Sequence, residues 1–342
     1  MHLLQRCNLN CAHCYSDSGP SARAELSLED ALGAVALGAR LGYTHLAVSG
    51  GEPLLYPHLE AVIDCAKTLG QHVSVVTNGL LATRAVARRR LAGADSVCVS
   101  LDGAQATHDA LRRRAGAYVG ALRAVEALRA AGMPCGMACG VVRRSLDDLE
   151  EVTAAAVGAG ASFLNFHAVE PAGRGQMLAP QHVLDRAGQT LLFVAVHLLM
   201  LSDISGCAVH CDLVHKDRVA ASPHMVYAGS DLLDAIDSTA ARLGVLVVEP
   251  SGRLSPVSYG FPAAWSLGSL RQALDTDGDS VRRTLPRVGR ALNAAGVALL
   301  QELHTEDDWV VLNPSAELSR LADRVPNISP MAAHDRPVTC LA

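Results

Sequence analysis

The sequence predicts an α/β protein built on an open, partial (β/α)6 barrel of the TIM type, followed by a smaller α+β C-terminal part. Two observations carry this reading. Six strand-like runs alternate with amphipathic, Ala-rich stretches through the first half of the chain, and strict alternation implies a parallel sheet with right-handed crossovers. Six units are also fewer than the eight of a closed barrel. An open doubly wound sheet accounts for the same alternation, so two architectures stand at this point. The expected units are residues 1–202 and 203–342.

The strands are expected at His2–Gln5, Thr44–Ser49, His72–Thr77, Ser96–Leu101, Pro134–Val142 and Ser162–Val169. Helices are expected near 27–41, 57–69, 83–92, 115–131 and 146–159, with a further one near 181–201. Ser27 ahead of Glu29 and Asp30, and Ser145 ahead of Asp147, Asp148 and Glu150, have the form of helix N-termini. Gly42, Gly70, Gly93, Gly132 and Gly160 stand where those helices should stop.

Composition narrows the function. Of 342 residues, 29 are basic and 34 acidic, a net charge of −5, which disfavours a general nucleic-acid binder. Aromatic residues make up only 4%, too few for a base-stacking platform. The longest apolar run, Leu191 to Leu201, contains His197 and is shorter than the ~20 residues a bilayer demands, so no membrane association is expected. No cleavable leader pattern is seen, and a cytoplasmic location is expected. In that reducing compartment thiols rarely pair, so the ten cysteines need another explanation.

The first strand runs into Cys7-Asn8-Leu9-Asn10-Cys11-Ala12-His13-Cys14. Positions 7, 11 and 14 share one face of a helix, so three small buried residues is one reading. Asn8, Asn10 and the nearby Gly19-Pro20 favour a loop instead. Structural zinc with His13 as fourth ligand is a second reading. An iron–sulfur cluster held by three thiolates, with one iron left for substrate, fits three cysteines without a fourth.

Further motifs stand at the ends of the expected strands: Ser49-Gly50-Gly51-Glu52-Pro53, Val76-Thr77-Asn78-Gly79 and Val99-Ser100-Leu101-Asp102-Gly103. His108-Asp109-Ala110-Leu111-Arg112 and Pro171-Ala172-Gly173-Arg174-Gly175 follow. With the cysteine triplet, this ordered set resembles the radical S-adenosylmethionine (SAM) superfamily, in the branch with a C-terminal SPASM or twitch domain. The resemblance covers about the first 180 residues well.

That resemblance implies one [4Fe–4S] cluster on Cys7, Cys11 and Cys14, with SAM on the fourth iron. It implies reductive cleavage of SAM to a 5′-deoxyadenosyl radical that takes hydrogen from a peptide or small natural-product substrate. It also implies an electron donor such as flavodoxin or ferredoxin with its reductase. Gly50 and Gly51 would let the cofactor's methionine approach the backbone. Glu52 would accept from its ammonium, and Arg112 would pair with its carboxylate. Thr77, Asn78, Ser100, Asp102 and His13 complete the cofactor set. Glu170, His167 and Asn165 are candidates for substrate contact.

The C-terminal part departs from the branch. Val248-Glu249-Pro250-Ser251-Gly252 matches its hairpin, but the position five residues after the glycine holds Val257. No cysteine lies between Cys211 and Cys340, so auxiliary clusters are not expected. Cys65, Cys98, Cys135 and Cys139 read as core, with Cys139 also a candidate hydrogen-atom donor near its strand tip. Cys207 and Cys211, near Asp212 and His215, have ligand-like spacing for zinc. A zinc-stabilised binding protein, and a catalytically retired relative that recognises peptides, are the rival functions.

Overall fold

The computed structural model describes residues 1–178, 180–202, 204, 206–222, 239–305 and 309–322; Cys340 lies outside the described residues. Six strands, β1 (His45–Val48), β2 (His72–Thr77), β3 (Ser96–Ser100), β4 (Cys135–Val141), β5 (Phe163–Ala168) and β6 (Ala208–Cys211), form one sheet in chain order. Every neighbouring pair is parallel. A doubly wound sheet reverses its strand order at a switch point. This sheet never does, and it is the partial barrel.

The helices α1 (Leu28–Arg40), α2 (Leu59–Thr68), α3 (Ala85–Leu91), α4 (Gln105–Arg112), α5 (Ala117–Ala130), α6 (Leu149–Ala159) and α7 (Arg186–Leu201) link the strands. Ser27 caps α1 as its sequence suggests, its Oγ accepting from Asp30 N at 3.0 Å. Ser145 does not cap α6, which begins after Asp148. It is fully buried in a preceding 3-10 turn, where its Oγ donates to the Asp102 carbonyl at 2.7 Å. Gly160 ends α6 at φ 83°, a left-handed conformation that costs other residues dearly.

Both ends of the sheet differ from expectation. His2–Gln5 makes only isolated bridges, because its hydrogen bonds are divided among three neighbours. Leu3 N donates to Ser49 O (3.3 Å), Leu26 N to Leu3 O (2.9 Å) and His2 N to Val248 O (2.9 Å). The sixth strand is Ala208–Cys211, read from sequence as a ligand-spaced segment. The sheet therefore runs past the boundary expected at 202/203.

Strand parity separates two environments. Val73, Val75, Val97, Val99, Met137, Val141, Leu164 and Phe166 are buried in the main core, toward the helices. Each such side chain contributes roughly 1.5–3 kcal/mol on burial. The opposite face carries small or polar groups: Ser100, Ala138, Asn165 and His210 form one row across β3 to β6, with Gly140 beside His167. That face has room for a ligand.

Beyond β6 the chain forms a two-stranded ladder, β7 (Val214–His215) with β11 (Val311–Leu312), and an antiparallel sheet of β8 (Leu246–Val248), β9 (Arg253–Pro256) and β10 (Gly268–Ser269). A helix over Asp279–His304 buries Val281, Leu285, Val288, Leu292, Ala295 and Leu299, a stripe at spacings of three and four. Pro180–Leu201 is, by length and composition, apolar enough to cross a membrane, which the sequence reading did not anticipate. Its continuous helix α7 has 16 residues, about 24 Å, and buries Leu192 and Val196.

Candidate active site

A cavity of about 360 Å³ opens at the C-terminal ends of the strands. It is lined by all three N-terminal cysteines and by residues from β2 to β5. Its floor is the loop over residues 7–18, closed at its base where Cys7 N donates to Gly19 O (3.1 Å) and Gly19 N to Gln5 O (3.1 Å).

Each sulfur meets a donor. Leu9 N donates to Cys7 Sγ at 3.4 Å, with Asn78 Nδ2 3.8 Å away. Arg112 Nη1 lies 3.8 Å from Cys11 Sγ, and Ser18 N donates to Cys14 Sγ at 3.3 Å. As a free thiol, Cys7 is pushed up to about 12 by burial, with Glu52 and the other two cysteines adding to the rise. Burial raises Cys11 too, against the opposing pull of Arg112. The three thiols sense one another electrostatically, yet among the described residues no three His, Cys, Asp or Glu side chains converge as a single-ion site requires.

Gly50 and Gly51 line the cavity, and the backbone explains why they are glycine. Gly51 N donates to Leu4 O at 2.7 Å and Glu52 N to Arg6 O at 3.0 Å, so residues 4–6 pass directly over them. A Cβ on Gly51 would lie 2.2 Å from Arg6 O, and one on Gly50, at φ 127°, 2.6 Å from Leu4 O. The approaching backbone is the protein's own.

Glu52 is fully buried, and the cavity wall does not include it. Its Oε1 accepts from Leu54 N (3.1 Å) and Thr77 Oγ1 (2.7 Å), and its Oε2 from Asn78 N (2.9 Å). Burial raises its carboxyl against those three donors. The carboxylate thus ties the end of β1 to the end of β2, rather than facing a ligand. Thr77 and Asn78 do line the cavity, and Asn78 Nδ2 also donates to Asn8 Oδ1 at 2.8 Å.

Asp102 organises the opposite wall. Its carboxylate accepts from Arg112 Nε at 2.5 Å and Gly140 N at 3.2 Å, and His13 Nε2 lies 3.3 Å away. Burial alone would raise Asp102, but Arg112, His13 and His108 together hold it well below the usual carboxylate range. Asp102 N donates to His108 Nδ1 at 2.9 Å, and burial brings His108 down to about 4. Ser100, Asp102, Arg112 and His13 all line the cavity.

His167 and Glu170, from the end of β5, stand on the same wall. Burial lowers His167 and raises Glu170. Asn165 is on the inner face but does not reach the cavity wall. Cys139 is corrected as a hydrogen donor: parity on β4 turns Ala138 and Gly140 into the cavity and Cys139 into the core, at 0% exposure. Cys207 is buried in that core and Cys211 packs against it, and neither belongs to a single-ion grouping among the described residues.

Four residues of this region were not foreseen. Arg174 clamps the cysteine loop, with Nε on Cys11 O (2.9 Å), Nη1 on Asp17 Oδ1 (2.7 Å) and Nη2 on Ser18 O. Gly173 before it, at φ 52°, packs where a Cβ would meet Tyr15 O at 2.4 Å. Tyr259 and Ser258 reach the cavity from the segment after β9, and Tyr259 stacks on His2 at 4.4 Å. Asp212 lines the cavity after β6 and accepts from Asn313 Nδ2 at 2.7 Å. The Pro171–Gly175 motif was the available signal for Arg174, and Asp212 was marked only as a neighbour of Cys211 in a zinc-like spacing; nothing local marked Tyr259 or Ser258.

Residues 1–156 match the model of the Radical SAM superfamily. The AdoMet-dependent heme synthase of Methanosarcina barkeri is 36% identical over 172 residues, 49% of this chain and 49% of that protein. The mycofactocin maturase MftC of Mycobacterium ulcerans is 35% identical over 176 residues, 51% of this chain and 47% of that protein. The chain thus spans about half the length of the curated relatives it matches. In fold it is similar to native anSMEcpe with bound AdoMet and Kp18Cys peptide, with a TM-score of 0.61, 16% identity and coverage of 94% of both chains. Residues 1–156 thus carry a domain that matches the radical SAM superfamily.

Proposed function

We propose that this protein is a radical SAM enzyme in which Cys7, Cys11 and Cys14 hold a single [4Fe–4S] cluster and the cavity above them receives SAM and a peptide segment. The observation that carries the reading is the set of three thiols, each met by a donor, on the wall of one cavity. N–H···S contacts of this kind stabilise thiolates bound to iron. When bound, cluster and SAM together supply a 5′-deoxyadenosyl radical that takes a hydrogen atom from a C–H bond of substrate.

The chain's own residues do the positioning. The Arg112 fork, oriented by Asp102, faces the cavity and suits the carboxylate of SAM. Ser100 suits a ribose hydroxyl, and the backbone at His13, also on the cavity wall, would meet the adenine. Glu52 acts as a positioning residue, holding Thr77 and Asn78 at the wall. His167 and Glu170, with Tyr259, face the space left for substrate. A peptide substrate is favoured by the maturase among the relatives and by the peptide bound in the similar fold. Val257 in place of a thiol supports one cluster rather than several.

Anaerobic reconstitution tests this. About four irons and four sulfides per chain are expected, with 5′-deoxyadenosine released from SAM under dithionite. No iron binding and no SAM cleavage by a folded protein would overturn the proposal.

A further inference from the structure

The outward side of α7 departs from the pattern of the other long helices. α5 turns Arg123, Glu126 and Arg129 to solvent, and the helix over Asp279–His304 turns out Arg282, Arg283, Arg290 and Gln301. Residues 187–201 contain no Asp, Glu, Lys or Arg. α7 packs on β6 and β11, and it buries Gly188, Leu192 and Val196. Its opposite face exposes Ala187, Leu191, Val194, Leu198 and Leu201, the last four at 57, 42, 60 and 84%. A helix packed on one side ordinarily carries polar residues on the other.

These exposed residues recur at spacings of four, three, four and three, the repeat of a helix-pairing seam, and so form one stripe about 21 Å long. The stripe is its own complement. Two copies related by a two-fold axis at Val194 run antiparallel, setting Leu191 of one against Leu198 of the other and Ala187 against Leu201. The smallest side chain of the stripe thereby faces the most exposed one. At on the order of 100 Å² for each large exposed side chain, the pair removes roughly 800 Å² from water. Ala187 and a rim at Thr190 and Ser202 bring this toward the ~1,000 Å² at which specific interfaces begin. Such an area supports a weak, reversible association.

We infer that this stripe is the contact through which two copies of the chain pair as an antiparallel, two-fold dimer. Charge favours a second copy over other partners. A face without ionic groups has nothing with which to select an acidic or a basic protein, and two net-acidic chains meet there without like charges opposed. A membrane is the rival occupant for so apolar a helix. Yet α7 is about 24 Å long against the ~30 Å of a hydrocarbon core, and its far side is already packed on protein. Helices that lie in the lipid interface carry Lys or Arg beside the apolar stripe, and residues 187–201 have neither. The inference is independent of the cluster and of the function proposed above.

Sedimentation velocity on the purified protein tests this. Between about 1 and about 100 μM, the weight-average mass should climb from that of one chain toward that of two, as for a micromolar dimer. Leu191→Glu with Leu198→Glu should keep the protein monomeric throughout, and so should Leu191→Lys with Leu198→Lys. Mixing these two forms should restore a dimer, because each Glu then faces a Lys across the axis. Val86→Glu with Val297→Glu, at apolar positions exposed elsewhere, should leave the wild-type equilibrium unchanged. Circular dichroism of every variant should match wild type, since all these side chains are exposed. A wild-type chain that stays monomeric at the highest concentration, or charge-reversed forms that do not recombine, would overturn the inference. Wild-type protein that floats with phosphatidylcholine or phosphatidylglycerol vesicles, and ceases to in the Glu pair, would overturn it in favour of lipid.

Discussion

The cysteine loop and the hairpin of β8 and β9 are two turn-rich segments held by opposite means. In the loop, two buried thiols and one half-buried thiol line a cavity and the polar contacts converge on sulfur. In the hairpin, the centre is the buried carboxylate of Glu249, which accepts from the half-buried Arg253 Nη2 at 2.6 Å, Ser255 Oγ at 2.7 Å and Gly260 N at 3.3 Å. Arg253 Nη1 then reaches Phe261 O, and Phe261 packs edge-on to Trp265 at 5.7 Å. The hairpin is complete as protein. On the proposed function the loop holds a cluster, so metal should matter in one region and not in the other.

The largest expected effect follows directly. Replacing Cys7, Cys11 or Cys14 by Ala should abolish SAM cleavage and reduce bound iron to near zero, while circular dichroism stays native. A variant that keeps full iron and activity would erase the distinction between the regions.

Next in size is Arg174→Ala, which removes the clamp on Cys11 O, Asp17 and Ser18. Iron occupancy and the rate of cluster loss to a chelator should change by about tenfold or more, the worth of at least one charge-assisted hydrogen bond. Arg174→Lys restores one contact at most and should sit between. Removing iron should raise amide exchange in residues 7–18 and leave residues 246–261 as they were, measured by hydrogen–deuterium exchange.

Breaking the hairpin makes the mirror experiment. Glu249→Gln leaves the half-buried Arg253 beside a neutral partner and should cost about 1–2 kcal/mol of stability, read by denaturant unfolding. Iron content should not move.

The last effect is read in pH rather than in iron. His108 is depressed to about 4, below the ~6.5 of an unfolded histidine, so its contribution is complete above pH 6.5 and lost as pH falls through 4. The loss is on the order of 3 kcal/mol, and His108→Gln should flatten it. An acid limb as steep in that variant as in wild type would assign the loss elsewhere.

Much of this was readable from residues alone, and the failures have physical causes. The strand-end motifs located the cavity because polar residues at the tips of apolar strands are hard to explain as core. The strand His2–Gln5 was legible as extended chain, but not that its hydrogen bonds would be divided among Ser49, Leu26 and Val248. Cys139 failed on parity: one position's shift decides cavity or core, and the apolar run around it contains no polar marker of either face. Glu52 sits in a recognisable motif, yet the three donors that close on it come partly from β2, 25 residues away in sequence. Ser145 resembled a helix cap because its neighbours are acidic, but a buried carbonyl of Asp102 took its hydroxyl. Such long-range polar partners leave no local pattern.

One cubane bonded through three thiolates, its remaining iron open to a sulfonium cofactor, is what electron paramagnetic resonance can count. Reduced and then mixed with SAM, the protein should give a single signal of about one spin per chain that shifts on addition of the cofactor. Two overlapping signals, or one that SAM leaves untouched, would contradict the account.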